Sequence, residues 1–251
     1  MIGATHSVCQ DYAVAKDSYI ILSDGCSTSP DTDIGSRLLV KAAEQQIQDR
    51  FNPETLNGDA AQLALSWAQA MNLPAQAVDA TLLIALIDDD DLFISCSGDG
   101  VIVTETNDGR RDIYDISYPL GYPLYPAYVH QPDRFATMVN SGRSTKEVRH
   151  IRNTEPSRSY PCDSVTHVMR LPAKHYRFIA LISDGVRSFF TTEEGTVASL
   201  DTLAVIAELV GFKSWNGQFV GRRVKRFMKD CQLNGWQHAD DLSIGVICPG
   251  A

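Results

Sequence analysis

The sequence predicts an α+β fold in which buried strands and amphipathic helices share one core. Three short apolar runs begin at Tyr19, Leu92 and Phe178, and each stops at an Asp-Gly pair, as a buried strand that ends in a turn does. A helical repeat of apolar residues follows the first run, at 34–50. At 251 residues the chain can bury one large core, so we expect a single domain over 1–251.

The same two periodicities indicate the remaining elements. Runs of β-branched residues between polar, Gly or Pro signals predict further strands, and i, i+4 spacing of apolar residues predicts further helices. Beyond the three apolar runs, the predicted strands are 81–87, 101–106 and 242–248, and the predicted helices are 34–50 and about 59–71, 201–212 and 218–230. The helices therefore form one early pair and one late pair.

Residues 107–175 are the least regular part of the sequence. They are rich in Tyr, Pro, Arg and Ser, and tyrosines alternate with prolines at 118–126. Because aromatic side chains favour burial, we interpret this region as an insertion or flap made of loops and short strands, not as a linker. No internal domain boundary is indicated.

The bulk composition excludes several classes of protein. A formal net charge of -9 opposes nonspecific binding to nucleic acid or to anionic lipid. No apolar run approaches the roughly 20 residues of a membrane helix, and the first residues lack a signal-peptide pattern. Six cysteines without a CxxC pair indicate neither a zinc cage nor a disulfide framework. We therefore expect a cytoplasmic protein with reduced thiols that binds neither nucleic acid nor membrane.

Aspartates occur where the predicted strands begin or end. The five candidates are Asp11, Asp24, Asp99, Asp184 and Asp240. Asp is disfavoured within strands, so this placement indicates that the carboxylates meet at one rim of a sheet. Carboxylates in a group repel one another unless a hard cation neutralises them, and oxygen ligands suit Mg²⁺ or Mn²⁺. Taken singly, each Asp-Gly pair is also a common turn, and that alternative stays open.

The order and neighbours of these aspartates resemble the motif series of the metal-dependent type 2C (PPM) serine/threonine protein phosphatases. The motifs that carry the resemblance are His6-x-x-Cys9-Gln10-Asp11, Leu22-Ser23-Asp24-Gly25, Asp79-Ala80-Thr81, Gly98-Asp99-Gly100, Leu181-Ile182-Ser183-Asp184-Gly185 and Ala239-Asp240-Asp241-Leu242-Ser243. They span nearly the whole chain and look like a divergent bacterial branch of the family. The resemblance implies a four-layer αββα sandwich with two central antiparallel β-sheets.

The resemblance also implies a reaction and a set of metal ligands. Asp24, Asp184 and Asp240 match direct ligands of the metals, and Gly25 matches a ligand through its backbone carbonyl. Asp11 matches an acidic residue that steers metal-bound water during catalysis. The implied cofactors are two divalent ions, Mn²⁺ or Mg²⁺. The implied reaction is hydrolysis of phosphoserine or phosphothreonine by direct attack of a metal-bound water or hydroxide, on protein substrates of a cognate serine/threonine kinase.

Four positions bear on the second and third ions and on phosphate binding. Asp99 matches a ligand of a weaker third metal site. Ser188 stands where a further aspartate usually completes that site, and Gln10 replaces an acidic residue that often supports the second metal. His6 stands where many members have a phosphate-binding arginine, so we expect it to bind substrate and to act in catalysis. Its charge would depend on pH near neutrality.

Basic residues form two clusters in this acidic protein. The segment 142–158 includes Arg143 and Arg149, which we interpret as a flap that binds the phosphorylated partner through charge-assisted hydrogen bonds. A solvated loop is the alternative. The second cluster, 222–229, has apolar residues along one helical face, which predicts that its charges lie on the outer face of a helix.

Two alternatives to an active hydrolase stay open. A pseudophosphatase would keep the fold and bind phosphorylated partners without turnover, and the departures at His6, Gln10 and Ser188 are compatible with it. A structural cation in a non-catalytic domain would give metal-dependent melting without hydrolysis. The ligand positions at Asp24, Asp184 and Asp240 favour the active phosphatase.

Overall fold

The structure is a computed structural model that describes residues 1–152, 155–162, 165–193 and 195–250, with the backbone alone at 50, 155–162 and 193. The strands in these ranges are β1 (Asp11–Ala15), β2 (Tyr19–Asp24), β3 (Leu82–Asp88), β4 (Asp91–Ser97), β5 (Gly100–Thr106), β6 (Arg111–Ser117), β7 (Lys146–Arg152), β8 (Glu155–Cys162), β9 (Thr166–Pro172), β10 (Tyr176–Ile182), β11 (Phe189–Glu193), β12 (Thr196–Ser199), β13 (Trp236–His238) and β14 (Ile244–Ile247). The α-helices are α1 (Thr32–Arg50), α2 (Leu56–Ala70), α3 (Pro132–Asn140), α4 (Thr202–Leu209) and α5 (Phe219–Leu233).

Two large antiparallel sheets form the centre of the fold, as predicted. One sheet has the strand order β1-β2-β3-β4-β9, and the other has the order β14-β10-β5-β6-β7-β8. A small third sheet has the order β12-β11-β13. All pairings among the described strands are antiparallel.

The central strands are buried on both faces, which is why their sequences are continuous apolar runs. In β2, Ile20 belongs to the apolar layer between the two sheets, whereas Ile21 packs with helices α1 and α2. In β10, Ile179 belongs to the same middle layer, whereas Phe178 packs with α4 and α5. Helices therefore cover the outer face of each sheet, which confirms the four-layer αββα sandwich.

The region 107–175 is more regular than its sequence indicates. Its described residues include β6, α3, β7, β8 and β9. Strand β7 alternates buried and exposed positions, but its charged residues hide the apolar pattern in the sequence. Three tyrosines are buried as expected, because Tyr118, Tyr125 and Tyr128 form a separate apolar cluster, whereas Tyr122 is exposed. Four positions of the region lie outside the described residues: 153, 154, 163 and 164.

Helix α5 separates its faces as predicted. Phe227 is buried, and Val224 and Met228 pack partly buried against the core that covers the second sheet. The exposed basic residues of the helix are Arg222, Lys225, Arg226 and Lys229.

Two further sequence predictions concern thiols and membranes. The five cysteines whose side chains are described are free thiols, and Cys162 lies outside the described side chains. In the described part of the chain, no helix has both the length and the apolar character needed to cross a bilayer.

Two helical glycines give opposite predictions for stability. A Cβ on Gly35 of α1 would lie 1.6 Å from the carbonyl oxygen of Ala77, because the helix packs directly on the turn before β3. We expect Gly35→Ala to lower the free energy of unfolding by about 1–3 kcal/mol. A Cβ on Gly221 of α5 meets no atom within 4 Å, so Gly221→Ala should raise that free energy by about 0.5–1 kcal/mol. Urea unfolding measures both, and equal signs for the two variants would contradict this packing.

Candidate active site

The predicted carboxylates lie at one end of the two central sheets. Asp24 ends β2, Asp99 lies in the turn between β4 and β5, and Asp184 follows β10. A cleft of about 230 Å³ opens there, and the predicted residues in its lining are Asp24, Gly25, Asp99, Asp184 and Asp240. Asp11 opens β1, a strand that the sequence does not indicate, and is in register with Asp24 on the neighbouring strand. The structure therefore brings the predicted carboxylates together.

Backbone hydrogen bonds hold Asp24 and Gly25 in the cleft. The amide of Thr81 donates to the carbonyl oxygen of Asp24 (2.8 Å), and the amide of Asp24 donates to Thr81 Oγ1 (3.0 Å). Gly25 forms an isolated bridge with Ala80. A Cβ on Gly25 would lie 2.7 Å from the carbonyl oxygen of Thr32, so the position requires glycine.

Asp11, Asp24 and Asp184 influence one another electrostatically. Burial, followed by the charges of Asp11 and Asp184, raises the pKa of Asp24 well above its ordinary value. Burial also raises the pKa of Asp11 to about 6, although Ser183 Oγ donates to its Oδ2 atom (2.9 Å). The Oδ1 atoms of Asp11 and Asp184 are buried without a hydrogen-bond partner. Unpartnered buried carboxylate oxygens are costly unless a cation or water satisfies them.

These properties fit divalent cations at the cleft. The donors are all oxygens, which suit Mg²⁺ or Mn²⁺ better than Zn²⁺. A bound cation would also favour the charged carboxylates that burial and crowding now disfavour. Within the described ranges, no group of three or more His, Cys, Asp or Glu side chains already has the geometry of a metal site. The residues that fit a two-ion centre are Asp24, Asp184 and Asp240, with the Gly25 carbonyl.

The first residues of the chain support the loop that carries Asp240 and Asp241. Asp241 is fully buried and accepts hydrogen bonds from the amides of Gly3 (2.8 Å) and Gln10 (2.7 Å). His6 Nδ1 lies 3.0 Å from Asp241 Oδ2, and its Nε2 lies 3.6 Å from Asp240 Oδ1. Burial acts to lower the pKa of His6, but the charges of Asp241 and Asp240 outweigh it and raise that pKa. Burial acts to raise the pKa of Asp241, but the hydrogen bonds from the two amides and the contact with His6 outweigh it and lower that pKa.

Backbone contacts reinforce this junction between distant parts of the chain. The amide of Ala4 donates to the carbonyl oxygen of His238 (3.0 Å), and the amide of Leu242 donates to that of Met1 (2.9 Å). The amide of Ser183 donates to the carbonyl oxygen of Ser243 (3.0 Å). These contacts explain why β14 begins at Ile244 and not at 242 as predicted, since the preceding backbone is used by the loop. The sequence showed Asp241 beside Asp240 but gave no sign of its amide partners.

Arg187 is a cation beside Asp99, one of the residues that line the cleft, and the sequence did not single it out. Its Nη1 lies 3.4 Å from Asp99 Oδ2, and its Nη2 and Nε lie 2.8 and 3.1 Å from Asp115 Oδ1. Burial and the charge of Asp184 raise the pKa of Asp99 to about 7, against the opposing effect of Arg187. The sequence signal that could have identified Arg187 is its place three positions after Asp184, among the predicted carboxylates.

A second missed ion pair fastens helix α3 beside the site. Arg134 Nη2 lies 2.7 Å from Asp79 Oδ2, and its Nη1 lies 3.0 Å from Asp79 Oδ1. The guanidinium also lies 4.7 Å from the ring centre of Tyr128. Asp79 belongs to one of the motifs, but its partner is 55 residues further along the chain. The insertion is therefore attached to the residues that hold Asp24.

The two predicted substrate arginines lie outside the carboxylate group. Arg149 pairs with Asp115 (2.8 Å) on the second sheet. Arg143 donates to Tyr122 Oη (2.9 Å), and Tyr122 belongs to the loop that lines one side of the cleft. Arg143 therefore borders the cleft, whereas Arg149 is held by Asp115, and substrate binding by either stays a prediction. The side chain of Arg158 lies outside the described residues.

Comparisons with known proteins agree with this geometry. A family model described as protein phosphatase 2C matches residues 3–215. A bacterial serine phosphatase with a point substitution has 12% identity and a TM-score of 0.57, and the match covers 99% of this chain and 94% of that one. The phosphatase Stp1 of Staphylococcus aureus has 14% identity and a TM-score of 0.55 over 99% and 91% of the two chains. The catalytic domain of the phosphatase PstP, in complex with two manganese ions, has 13% identity and a TM-score of 0.50 over 98% and 95%.

A comparison with curated protein sequences gives no match. The family match nevertheless extends over most of the chain, and the solved structures share its fold over nearly their whole lengths. The resemblance seen in the motifs is thereby confirmed. The chain belongs to the protein phosphatase 2C family.

Proposed function

We propose that the protein is a metal-dependent protein serine/threonine phosphatase. The observation that carries the proposal is the cleft, where Asp24, Asp184 and Asp240 lie together and buried carboxylate oxygens lack partners. The structurally similar PstP is a serine/threonine phosphatase whose catalytic domain holds two manganese ions. Two Mn²⁺ or Mg²⁺ ions, when bound, would activate water and neutralise the charge of the phosphoryl group.

The protein's own residues would position the reacting groups. Ser183 holds one oxygen of Asp11, and the other oxygen, Oδ1, has no partner and is available to orient the attacking water. His6 would hold Asp240 and Asp241 through the contacts described above, and it would reach the substrate phosphate only if its Nε2 leaves Asp240. No cysteine or serine nucleophile is required by this arrangement.

The substrate would be a phosphorylated protein supplied by a cognate serine/threonine kinase. The cleft is open at the surface, and Leu120 and Tyr122 are exposed beside it, on the loop that contributes to its lining. They offer apolar contacts to residues that flank a phosphoserine or phosphothreonine. Arg143, which contacts Tyr122, would add a charge-assisted contact with the same segment. Bound cations would reverse the local sign of a protein whose net charge is -9.

EDTA should abolish hydrolysis of a phosphoserine peptide, and added Mn²⁺ or Mg²⁺ should restore it. Zn²⁺ should restore it poorly, because the candidate ligands are oxygens and not thiolate or imidazole groups. Release of inorganic phosphate measures the reaction, with the EDTA-treated protein before metal addition as the baseline. Full turnover in a preparation shown to be metal-free would contradict the proposal.

A phosphoprotein-binding pseudophosphatase is the second candidate, and the placement of His6 favours it. His6 replaces the arginine expected to bind phosphate, and its ring lies against Asp241 and Asp240. A protein of this kind would bind a phosphopeptide in the presence of Mn²⁺ but would release no phosphate from it. The same assay, combined with fluorescence anisotropy of the peptide, separates the two functions.

A further inference from the structure

We propose that Arg187 is a resident cation that takes the place of a third metal ion at Asp99, so that the cleft holds two divalent ions and not three. The inference rests on the proposed function for the two-ion centre. It concerns residues outside that centre, and it assigns Arg187 as a positioning residue for the turn that carries Asp99.

The contacts of Arg187 leave Asp99 neutralised by the protein itself. Nη1 faces Asp99 Oδ2 at 3.4 Å, while Nη2 donates to Asp115 Oδ1 (2.8 Å) and to the carbonyl oxygen of Ile116 (2.7 Å). A further contact of 3.4 Å joins Nη2 to the carbonyl oxygen of Gly100, next to Asp99. A guanidinium with this many partners is fixed in place and carries its charge at every working pH.

Ser188 supplies an independent observation against a third ion. This residue stands where the resemblance places an aspartate of the third site. Its hydroxyl donates to the carbonyl oxygen of Gly185 (2.8 Å) and accepts from the amide of Asp240 (3.1 Å). The hydroxyl therefore aligns two loops of the main centre, and it offers no carboxylate to an ion at Asp99.

A guanidinium and a third ion at Asp99 exclude each other. Both are cations, and like charges at contact distance in a partly buried site repel strongly. Through Asp115, Arg187 also connects the Asp99 turn to strand β6. The loop that follows β6 lines the cleft. Arg187 thus holds the turn in place whether or not metal is available.

The number of bound ions tests the proposal directly. Wild-type protein equilibrated with millimolar Mn²⁺ and analysed by elemental mass spectrometry should hold two ions per chain, and Asp99→Asn should leave that count unchanged. Ser188→Asp alone should still hold two ions, Arg187→Met combined with Ser188→Asp should gain a third ion, and Asp99→Asn in that double variant should remove it again. A third ion in the wild type, a lost ion in Asp99→Asn, or a folded Arg187→Met/Ser188→Asp protein that still holds two ions would overturn the proposal.

A double-mutant cycle, measured by thermal unfolding in EDTA, tests the ion pair between Arg187 and Asp99 without any metal. Its result therefore does not depend on whether the two-ion centre exists. We expect Arg187→Met to lower Tm by several degrees more in the wild type than in the Asp99→Asn background. In that background the side chain at position 99 carries no charge, so the ion pair is already lost. Asp115→Asn is the matched control for the ion count described above. It removes a carboxylate from the same arginine but should leave the Mn²⁺ count at two. If the Tm shift of the double variant equals the sum of the shifts of Asp99→Asn and Arg187→Met, the proposal is overturned, even if phosphatase activity is present. If Arg187→Met does not fold, the ion count of Asp99→Asn decides alone.

Discussion

Asp184→Ala should lower kcat/KM on a phosphoserine peptide by more than about 100-fold, because losing the direct metal ligand proposed here should exceed the 10- to 100-fold cost of losing an outer-shell partner. Asp184 lines the cleft, and its Oδ1 atom is buried with no protein partner. The variant should stay folded, since Asp184 follows β10 and lies outside the apolar layers of the core. Far-ultraviolet circular dichroism and phosphate release at saturating Mn²⁺ measure the two properties.

Asp91→Ala is a suitable control for this prediction. Asp91 begins β4 at the end of the strand away from the Asp99 turn, and its side chain is exposed. The control should keep wild-type kcat/KM and wild-type Mn²⁺ binding. A folded Asp184→Ala protein with near wild-type turnover would show that the metal ligands are assigned wrongly.

Asp241→Asn should be the most destabilising single substitution near the cleft. The carboxylate is fully buried and accepts from the amides of Gly3 and Gln10, with His6 at 3.0 Å. Breaking a buried charged arrangement of this kind costs about 3–5 kcal/mol. For a chain of this length, that corresponds to a fall in Tm of roughly 6–20 °C. Differential scanning calorimetry in EDTA measures the shift without a contribution from metal binding.

The comparison for Asp241 is an aspartate whose ion pair is at the surface. Asp230 pairs with Arg226 one helical turn away on α5, and both side chains are exposed to solvent. Asp230→Asn should change the free energy of unfolding by less than about 1 kcal/mol, as surface pairs usually do. Equal Tm values for Asp241→Asn and Asp230→Asn would mean that the amide contacts of Asp241 contribute little to stability.

Local patterns in the sequence were sufficient to predict the strands that carry the carboxylates. The apolar runs before Asp24 and Asp184 are long, continuous and stopped by glycine, so their identity as buried strands does not depend on distant partners. The helix beginning near Asp201 was equally local, because that side chain accepts from the amides of Leu203 and Ala204. Its N-terminal signal is contained within four residues.

The residues that support the site depend on partners far away in the chain. Arg134 and Asp79 are 55 positions apart in the chain, and Arg187 and Asp99 are 88 positions apart. Sequence periodicity carries no information about such pairs, because it reports only which face of an element is buried. Strand β7 was missed for a different reason, since four of its seven residues are charged. Local patterns therefore predict the rim of carboxylates but not the network that holds it.

The junction between the first residues and the Asp240 loop determines when the site can form during folding. Gly3 and Asp241 are 238 positions apart, and Gln10 and Asp241 are 231 apart. Contacts of such large sequence separation require closure of almost the whole chain, which is slow and follows the formation of local structure. A chain synthesised only as far as residue 238 would lack both acidic residues of the loop, including the proposed metal ligand Asp240. For the phosphatase proposed above, hydrolysis would therefore begin only after synthesis has passed this loop.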